Sequence, residues 1–329
     1  MNTQAKVSVV LCCYNQEEYV RHAIESVLNQ TYTNTELVVI DNGSTDGTPA
    51  ILREYETNSR IKVILHPQNA AVTKRLNEGI SAASGDFISI LYADDYYLPR
   101  KIEAQMAAFA GLSEEYGVVY SPGYRLNTVT NTQWQPPGMP LSGQILREML
   151  VNYHRHCFLN PISPLVRKVC LLLYPFRETV FIEGECIYFR IGVKYKFQYL
   201  AEPLVVMRDH PTNAGKAIKR TKEYEVALIS LWLAEPEFPV EFRSAVCTYL
   251  ARVLRNYGWQ AIRLANEKKW ARHCFYEALK WDWKQAGHPR TVTGFALSLL
   301  PNRAMNLMNT LGNSLKPSMG LRAFRADNQ

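Results

Sequence analysis

Short apolar runs alternate with helical patterns along the first 120 residues, and this alternation restricts the fold more than any other feature of the chain. Apolar runs of this length are typical of strands that are buried on both faces of a parallel sheet. Apolar stripes at a spacing near 3.6 residues indicate helices between them. Strands that alternate with helices over short links predict a doubly wound α/β sheet. The predicted strands are Val7–Cys12, Glu36–Asp41, Ile61–Leu65, Asp86–Leu91 and Val118–Tyr120.

The pattern becomes less regular after residue 122 and changes again near residue 215. A Pro/Gly-rich segment at 135–143 precedes a predicted helix at Cys186–Val193 and a predicted strand at Leu204–Arg208. Beyond Lys219, periodic apolar residues and tryptophans indicate helices. We therefore predict an α/β domain over residues 1–215, with halves at 1–110 and 111–215, and a C-terminal helical extension over 216–329.

Positive charge is concentrated in that helical region. The chain has 37 Lys and Arg residues against 30 Asp and Glu, a net charge of +7, and residues 216–329 hold 18 of the basic and 9 of the acidic residues. A basic surface can meet nucleic acid, anionic lipid or an anionic substrate. No nucleic-acid-binding motif accompanies it, so we expect no nucleic-acid partner. A solvated basic face with no specific partner is the alternative.

The apolar stripe Ala304, Leu307, Met308 and Leu311 near the end of the chain has basic neighbours. Such a helix can lie on an anionic membrane surface, or it can pack on its own domain.

Several classes of protein are excluded or disfavoured by what the sequence lacks. No apolar run approaches the roughly 18 residues that span a bilayer, and the N-terminus has no signal-peptide layout, so we expect a cytoplasmic protein. The seven cysteines form no C-x-x-C pair, which favours reduced thiols over disulfides or a zinc site. A P-loop, a G-x-G-x-x-G motif and a Ser-His-Asp set are also absent.

Polar residues follow the predicted strands where an α/β sheet binds its ligands, at the carboxyl ends. Tyr14 and Asn15 follow the first strand, Asp41 ends the second, and Asp94 and Asp95 follow the fourth. Two adjacent carboxylates on a turn are costly unless a cation shares them, and Mg²⁺ or Mn²⁺ completed by phosphate oxygens is a common solution. A capping turn before the next helix is the alternative.

The turn sequence after the second strand, DNGSTDGT, begins with Asp41. Its carboxylate can accept the N–H of a nucleobase, and the glycines let the chain pass close to a ligand. A turn without a ligand is the alternative. Tyr14 can stack on a base or pack against the protein.

Two further segments contain candidate residues for catalysis. Glu183 or Glu185 can act as general base toward an acceptor hydroxyl, or both can lie in a solvated loop. His210, beside Arg208, can contact a metal ion or a diphosphate, since a guanidinium binds phosphate oxygens in a bidentate fork. A simple His-Pro turn is the alternative.

Four blocks, read in order from Val7 to Asn213, resemble the family-2 glycosyltransferases, which are inverting enzymes with the GT-A fold. The blocks are VSVVLCCYNQEEYVRHAIESVLNQTY, ELVVIDNGSTDGT, NAAVTKRLNEGISAASGDFISILYADDYYLPRKIE and AEPLVVMRDHPTN. The sequence departs from the family pattern at four places. Cys12-Cys13 replaces Pro-Thr, and Tyr92 replaces the first Asp of the Asp-x-Asp motif. Leu76 precedes Asn77 where the family often has arginine, with Arg75 or Lys74 as substitutes, and no Asp follows Glu183 or Glu185.

The resemblance implies a role for each candidate residue. Mn²⁺ or Mg²⁺ would be bound by Asp94, Asp95 and His210, and the diphosphate of the donor would contact Arg208 and Arg75. Glu185 is the preferred general base and Glu183 the alternative. The residues expected to bind the nucleotide of the donor, most often UDP, are Tyr14, Asn15, Asp41, Asn69, Asn77 and Asp94.

The predicted activity is transfer of a sugar from a nucleotide-diphosphate donor to a glycan or lipid-linked acceptor in surface polysaccharide biosynthesis. The basic C-terminal region would make peripheral contact with the inner membrane face. A catalytically inactive protein of the same fold that binds nucleotide sugars is the alternative, and a nucleotidyltransferase is disfavoured because the chain lacks a glycine-rich basic loop after the first strand.

Overall fold

A computed structural model describes residues 5–136, 140–152, 159–181, 183–184, 186–213, 218–236, 238–262 and 267–301. The chain divides into two compact units, Met1–Asn213 and Ala214–Gln329. Six cysteines lie in the described segments, and all have free thiols.

The described part of the first unit contains eleven strands in two sheets. The strands are β1 (Val7–Cys13), β2 (Thr35–Asp41), β3 (Ile61–Leu65), β4 (Phe87–Tyr92), β5 (Tyr96–Tyr97), β6 (Tyr116–Tyr120), β7 (Tyr124–Asn127), β8 (Thr132–Trp134), β9 (Leu165–Arg167), β10 (Lys196–Tyr199) and β11 (Val205–Asp209).

The main sheet has the order β10-β6-β9-β4-β1-β2-β3. β1 pairs in parallel with β2 and β4, whereas β9 is antiparallel to β4 and β6. Every residue of β1 is buried, as a continuous apolar run predicts for a central parallel strand. The predicted mixed α/β sheet is confirmed, and all five strands predicted in the first 120 residues belong to it.

Seven helices lie in the described part of the first unit: α1 (Val20–Leu28), α2 (Thr48–Arg53), α3 (Val72–Ala82), α4 (Lys101–Ala110), α5 (Leu146–Asn152), α6 (Lys168–Leu173) and α7 (Cys186–Lys194). The stripe of α1 is buried through Val20, Ala23, Ile24 and Val27. α3 approaches the sheet closely at Gly79, where an added Cβ would lie 2.4 Å from Cγ1 of Val10. Helix-to-sheet packing at this position therefore requires glycine.

The second sheet, with the order β5-β11-β7-β8, was not predicted as a separate sheet. The strand predicted at Leu204–Arg208 exists as β11, but it pairs with β5 and β7 rather than with the main sheet. β7 and β8 are short, polar and partly exposed, so they lack the apolar pattern that identifies a strand. β5 begins directly after Asp95, and the second sheet therefore adjoins the end of β4.

The described part of the second unit is helical, as predicted. It contains α8 (Ile218–Leu233), α9 (Arg243–Gln260), α10 (Lys268–Trp281) and α11 (Pro289–Leu299), with short 3₁₀ helices at Val240–Phe242 and Trp283–Gly287. Phe275 of α10 is fully buried, and Gly258 and Gly294 lie against its ring. No helix in the described residues is long and apolar enough to cross a membrane. The stripe Ala304–Leu311 lies outside the described residues.

Candidate functional site

Three parallel strands of the main sheet end at one edge and bring the candidate residues together there. Cys13 at the end of β1 is level with Asp41 at the end of β2, and Cys12 is level with Tyr92 at the end of β4. Tyr14 and the Asp94–Asp95 turn follow directly. This is the edge at which an open α/β sheet binds its ligands.

The loops after β1 and β2 are fastened to each other through Asn15. Asn15 has a positive φ of 52° and donates its backbone N–H to Oγ of Ser44 (2.8 Å), while its Oδ1 accepts from the N–H of Thr45 (2.8 Å). Asp41 is buried, and its carboxylate accepts from the backbone N–H (3.0 Å) and the hydroxyl of Ser44. Tyr14 remains 42% exposed, so its ring is accessible to a ligand.

A second layer of contacts supports the loop after β2. Gly43 has φ +79°, and an added Cβ would lie 2.5 Å from the backbone carbon of Gln68. Buried Asn42 donates to Oδ1 of Asn69 (3.2 Å), and its own Oδ1 accepts from Nε of Arg75 (2.8 Å). Arg75 also donates to the Gln68 carbonyl (3.2 Å). Arg75, which was predicted to bind the diphosphate, therefore donates to the loops after β2 and β3 in this structure. Asn42 was not predicted as a site residue.

Asp94 faces the segment that follows β11. Its side chain is 20% exposed, and its Oδ2 lies 3.2 Å from Nε2 of His210. Asn213 donates to the same oxygen (3.3 Å) and accepts the backbone N–H of His210 (2.5 Å). Nδ1 of His210 lies 2.9 Å from Oγ1 of Thr212, and the imidazole stacks on the ring of Tyr19. Asn213 was not predicted as a site residue, although it ends the fourth sequence block.

Asp95 is buried and binds β11. Its Oδ1 accepts the backbone N–H of Arg208 in β11 (2.8 Å), and burial together with the neighbouring Asp94 raises the pKa of its carboxyl well above the usual range. The two adjacent carboxylates therefore have different partners, the backbone of β11 for Asp95 and His210 for Asp94. No group of three or more His, Cys, Asp or Glu side chains in the described residues is arranged to hold a metal ion.

Arg208 is enclosed rather than directed into open solvent. Its guanidinium lies between the rings of Tyr19 and Tyr96, 5.2 and 4.7 Å from their centroids, and Nη1 donates to the Asp94 carbonyl (2.6 Å). Nη2 contacts Nδ1 of His22. Burial lowers the pKa of Arg208, and burial with Arg208 nearby lowers the pKa of His22. Because α1 shows only an ordinary amphipathic pattern, the sequence carries no signal for His22.

Glu183 and Asn77 are engaged elsewhere in the protein. Glu183 is buried, with Oε1 3.2 Å from Nη1 of Arg190 and Oε2 accepting the N–H of Arg177 (2.7 Å). Asn77 donates to the carbonyl of Phe176 (2.8 Å) and accepts its N–H (2.9 Å), so this amide is brought to Phe176 rather than to Asp41 or Asp94. Glu185 lies outside the described residues.

The comparison with protein families and curated sequences gives a consistent result. Residues 8–170 match the model of Glycosyl transferase family 2. The putative glycosyltransferase EpsE of Bacillus subtilis is 40% identical over 121 residues, which cover 36% of this chain and only 43% of EpsE. An uncharacterized glycosyltransferase of Nostoc sp. is 27% identical over 94% of this chain and 95% of its own length.

Solved structures share the fold. S. aureus TarS 1-349 in complex with UDP-GlcNAc has a TM-score of 0.64 at 18% identity, covering 88% of this chain and 89% of that one. The mannosyltransferase PcManGT from Pyrobaculum calidifontis, in complex with GDP-Man and Mn²⁺, has a TM-score of 0.57 at 17% identity, covering 100% and 89%. These structures share the fold, and the family match shows that residues 8–170 of the chain belong to glycosyltransferase family 2.

Proposed function

We propose that the protein is an inverting glycosyltransferase that moves a sugar from a nucleotide-diphosphate donor, a UDP-sugar, to a hydroxyl of a glycan or lipid-linked acceptor. One observation carries this proposal: a partly exposed carboxylate, Asp94, faces His210 at the strand edge that also presents Tyr14 and Asp41. The nucleotide-sugar complexes of TarS and PcManGT support it by shared fold.

The nucleotide would bind over the loops after β1 and β2. The accessible ring of Tyr14 would stack on the base. Asp41 is buried beneath Ser44, and its carboxylate would accept a base N–H once the hydroxyl of Ser44 turns away from it. Asn15 would hold the two loops in register. Asn69 would support the loop from its outer side through Asn42.

The residues at the end of β4 fit a divalent cation that is completed by substrate. Asp94 offers an exposed oxygen and His210 an imidazole nitrogen, and Mg²⁺ or Mn²⁺ is commonly held by one or two carboxylates plus phosphate oxygens. Such an ion would neutralise negative charge on the departing diphosphate. Asp95 would hold the turn against β11 rather than ligate the ion. Arg208 would position the backbone of Asp94.

We assign the general base to Glu185 rather than Glu183. A base needs a lone pair directed at the acceptor hydroxyl, and the oxygens of Glu183 are occupied by Arg190 and the backbone of Arg177. Glu185 would take the proton of the acceptor hydroxyl as the oxygen attacks the anomeric carbon opposite the leaving diphosphate, which inverts its configuration.

The assignment is tested by release of nucleoside diphosphate in the presence of Mn²⁺, a panel of nucleotide sugars and an acceptor extract. We expect Asp94→Asn to lower turnover by about 100-fold or more, because it removes the anionic ligand. Asp86→Asn, an exposed carboxylate before the other end of β4, is the matched control. Calorimetric donor binding without turnover by the native protein would favour the inactive nucleotide-sugar-binding alternative.

We further propose that the acceptor is met at the inner face of a membrane, in surface polysaccharide biosynthesis. The support is the excess of basic residues in 216–329 and the stripe at Ala304–Leu311. Flotation with anionic vesicles should recover the full chain and lose a variant truncated after Pro301. Equal recovery of both would exclude a role for the stripe.

A further inference from the structure

The helix α11 turns its small and hydroxyl-bearing residues inward and large apolar residues outward. Its buried residues are Thr291, Gly294 and Ser298, whereas Val292 is 55% exposed and Leu299 is 75% exposed. A helix on a water-facing surface normally has the reverse arrangement, with its apolar stripe against the core. The outward side of α11 therefore has the character of a face that meets an apolar environment.

The outward apolar residues form one continuous face. Val292, Ala296 and Leu299 follow one another at spacings of four and three residues, which places them on the same side of a helix, and all three are exposed. Thr293 is the polar residue beside them, and its hydroxyl donates to the carbonyl of Pro289 (2.6 Å). The sequence of the helix after Arg290 contains no charged residue, so this outward face is uncharged throughout.

Cations lie at the C-terminal end of this face. Nζ of Lys268 donates to the carbonyl of Leu300, and Nη1 of Arg272 donates to the carbonyl of Ser298 (2.8 Å). Cations are favoured at this negative end of the helix dipole, and both side chains are only partly buried. Residues 267–300 contain six Lys and Arg against three Asp and Glu, so the surroundings of the apolar face are positively charged.

An anionic lipid surface matches both properties, because it offers acyl chains to the apolar face and phosphate groups to the cations. α11 has eleven residues and is about 16 Å long, against the roughly 30 Å of a bilayer core, so it would lie in the plane of the interface.

Two other occupants have the wrong charge. A second copy of the chain would bring the same cations toward each other in a symmetric contact. The sequence after residue 301 has four basic residues and one acidic residue, so it too carries the charge of the cations it would meet.

We propose that the outward face of α11, together with Lys268 and Arg272, docks on an anionic membrane surface. This inference rests on the proposed membrane contact and names a surface for it that is separate from the stripe at Ala304–Leu311. Val292 and Leu299 enter the boundary between headgroups and acyl chains. The ammonium of Lys268 uses one of its three donors on Leu300 and can offer the others to lipid phosphate.

The test is flotation of the full chain with phosphatidylcholine vesicles, with and without phosphatidylglycerol. Leu299→Glu and Val292→Glu each place a negative charge on the outward face. Val240→Glu is the matched control, since Val240 is 74% exposed on the 3₁₀ helix Val240–Phe242 and takes the same change of charge. Circular dichroism checks that each variant is folded.

We expect the native chain to float only with vesicles that contain phosphatidylglycerol. Leu299→Glu should weaken this binding by about tenfold or more, because an apolar contact is replaced by a charge that anionic lipid repels. Val292→Glu should act in the same direction, and Val240→Glu should leave binding unchanged.

The inference fails alone if the native chain floats, truncation after Pro301 abolishes flotation and Leu299→Glu does not weaken it, because the stripe then makes the membrane contact. Equal losses in the Leu299 and Val240 variants, or equal native flotation with both lipid compositions, also overturn it. A native dimer that Leu299→Glu converts to a monomer without any vesicle binding identifies a second copy as the occupant. A native chain that never floats overturns the proposed membrane contact as well, and none of these results bears on sugar transfer.

Discussion

The imidazole of His210 meets the carboxylate of Asp94 across 116 residues of sequence, with Nε2 3.2 Å from Oδ2. Asn213 holds this pair, because its amide donates to Asp94 and its carbonyl oxygen accepts from the backbone of His210. The amide thus fixes both proposed metal ligands in one orientation.

Asn213→Ala should therefore weaken the affinity for Mn²⁺ by about 10- to 100-fold, the usual cost of removing a group that orients metal ligands. Calorimetric titration of Mn²⁺ in the presence of UDP measures this without turnover. Asn152→Ala is the control, since the side-chain amide of Asn152 donates to Glu148 within its own helix. An unchanged Mn²⁺ affinity for the Asn213 variant would show that Asp94 and His210 orient themselves.

Glu183 should matter for stability. Replacing it by Ala leaves Arg190 with its charge largely buried and uncompensated, and we expect the free energy of unfolding to fall by about 3 kcal/mol. Chemical denaturation of the native and variant proteins gives this value. A loss below measurement error would mean that Arg190 finds solvent or another partner.

Glu185 should matter for turnover instead. Glu185→Gln should lower kcat by about 100-fold or more while leaving the melting temperature and donor affinity unchanged. The decisive comparison is between this variant and Glu183→Gln in the same assay. If only the Glu183 variant loses kcat at unchanged melting temperature, the two assignments must be exchanged.

Gly43 offers a test of the loop that supports Asp41. Gly43→Ala combines a positive φ with a backbone clash at 2.5 Å, and we expect a loss of stability of at least about 3 kcal/mol together with loss of nucleotide binding. Gly143→Ala is the control, because Gly143 has φ +94° but open space around its Cβ position. That variant should lose only about 1 kcal/mol. Equal losses of stability in the two variants would show that backbone strain, and not the clash with Gln68, causes the effect.

Lys101 should make the free energy of unfolding depend on pH below the ordinary pKa of a lysine. It is fully buried against Ser89 and the ring of Tyr97, and burial lowers the pKa of its ammonium well below the usual range. Between that lowered pKa and the ordinary value, the unfolded chain binds the extra proton. Stability therefore rises with pH through this interval, by up to about 1.4 kcal/mol per unit.

Lys101→Met removes this pH-dependent contribution to the free energy of unfolding. We expect the variant to be more stable than the native protein near neutral pH, with an advantage that shrinks toward about pH 10, the ordinary range of a lysine. Urea unfolding at a series of pH values measures it, with exposed Lys62→Met as the control. An advantage that is constant with pH would indicate packing rather than ionisation.

Most of the main sheet could be predicted because its strands are recognisable as apolar runs. Since β1, β2 and β4 are parallel, Tyr14, Asp41 and Asp94 lie at one edge of the sheet. The second sheet could not be predicted in this way. Its strands are two to five residues long, and β5 is recognisable only through its pairing with β11.

The hydrogen-bond partners of Arg75 and Arg208 could not be predicted from the sequence either. Arg75 and Arg208 were natural choices for phosphate contacts, yet their guanidiniums hold Asn42 and the Asp94 carbonyl. A long cationic side chain reaches whichever acceptors the fold brings near it, and loop carbonyls at Gln68 and Asp94 have no sequence signature. The different partners of Asp94 and Asp95 likewise follow from β11, whose backbone N–H at Arg208 donates to Asp95.

β11 and the residues after it come last in the first unit, yet they supply the partners of Asp94 and Asp95. While the polypeptide is still being translated, the turn after β4 emerges from the ribosome long before those partners exist. A nascent chain can therefore assemble most of the main sheet before it can form the proposed cation site. Synthesis must pass Asn213 before Asp94 and Asp95 acquire these partners, so the proposed donor site can form only when the first unit is complete.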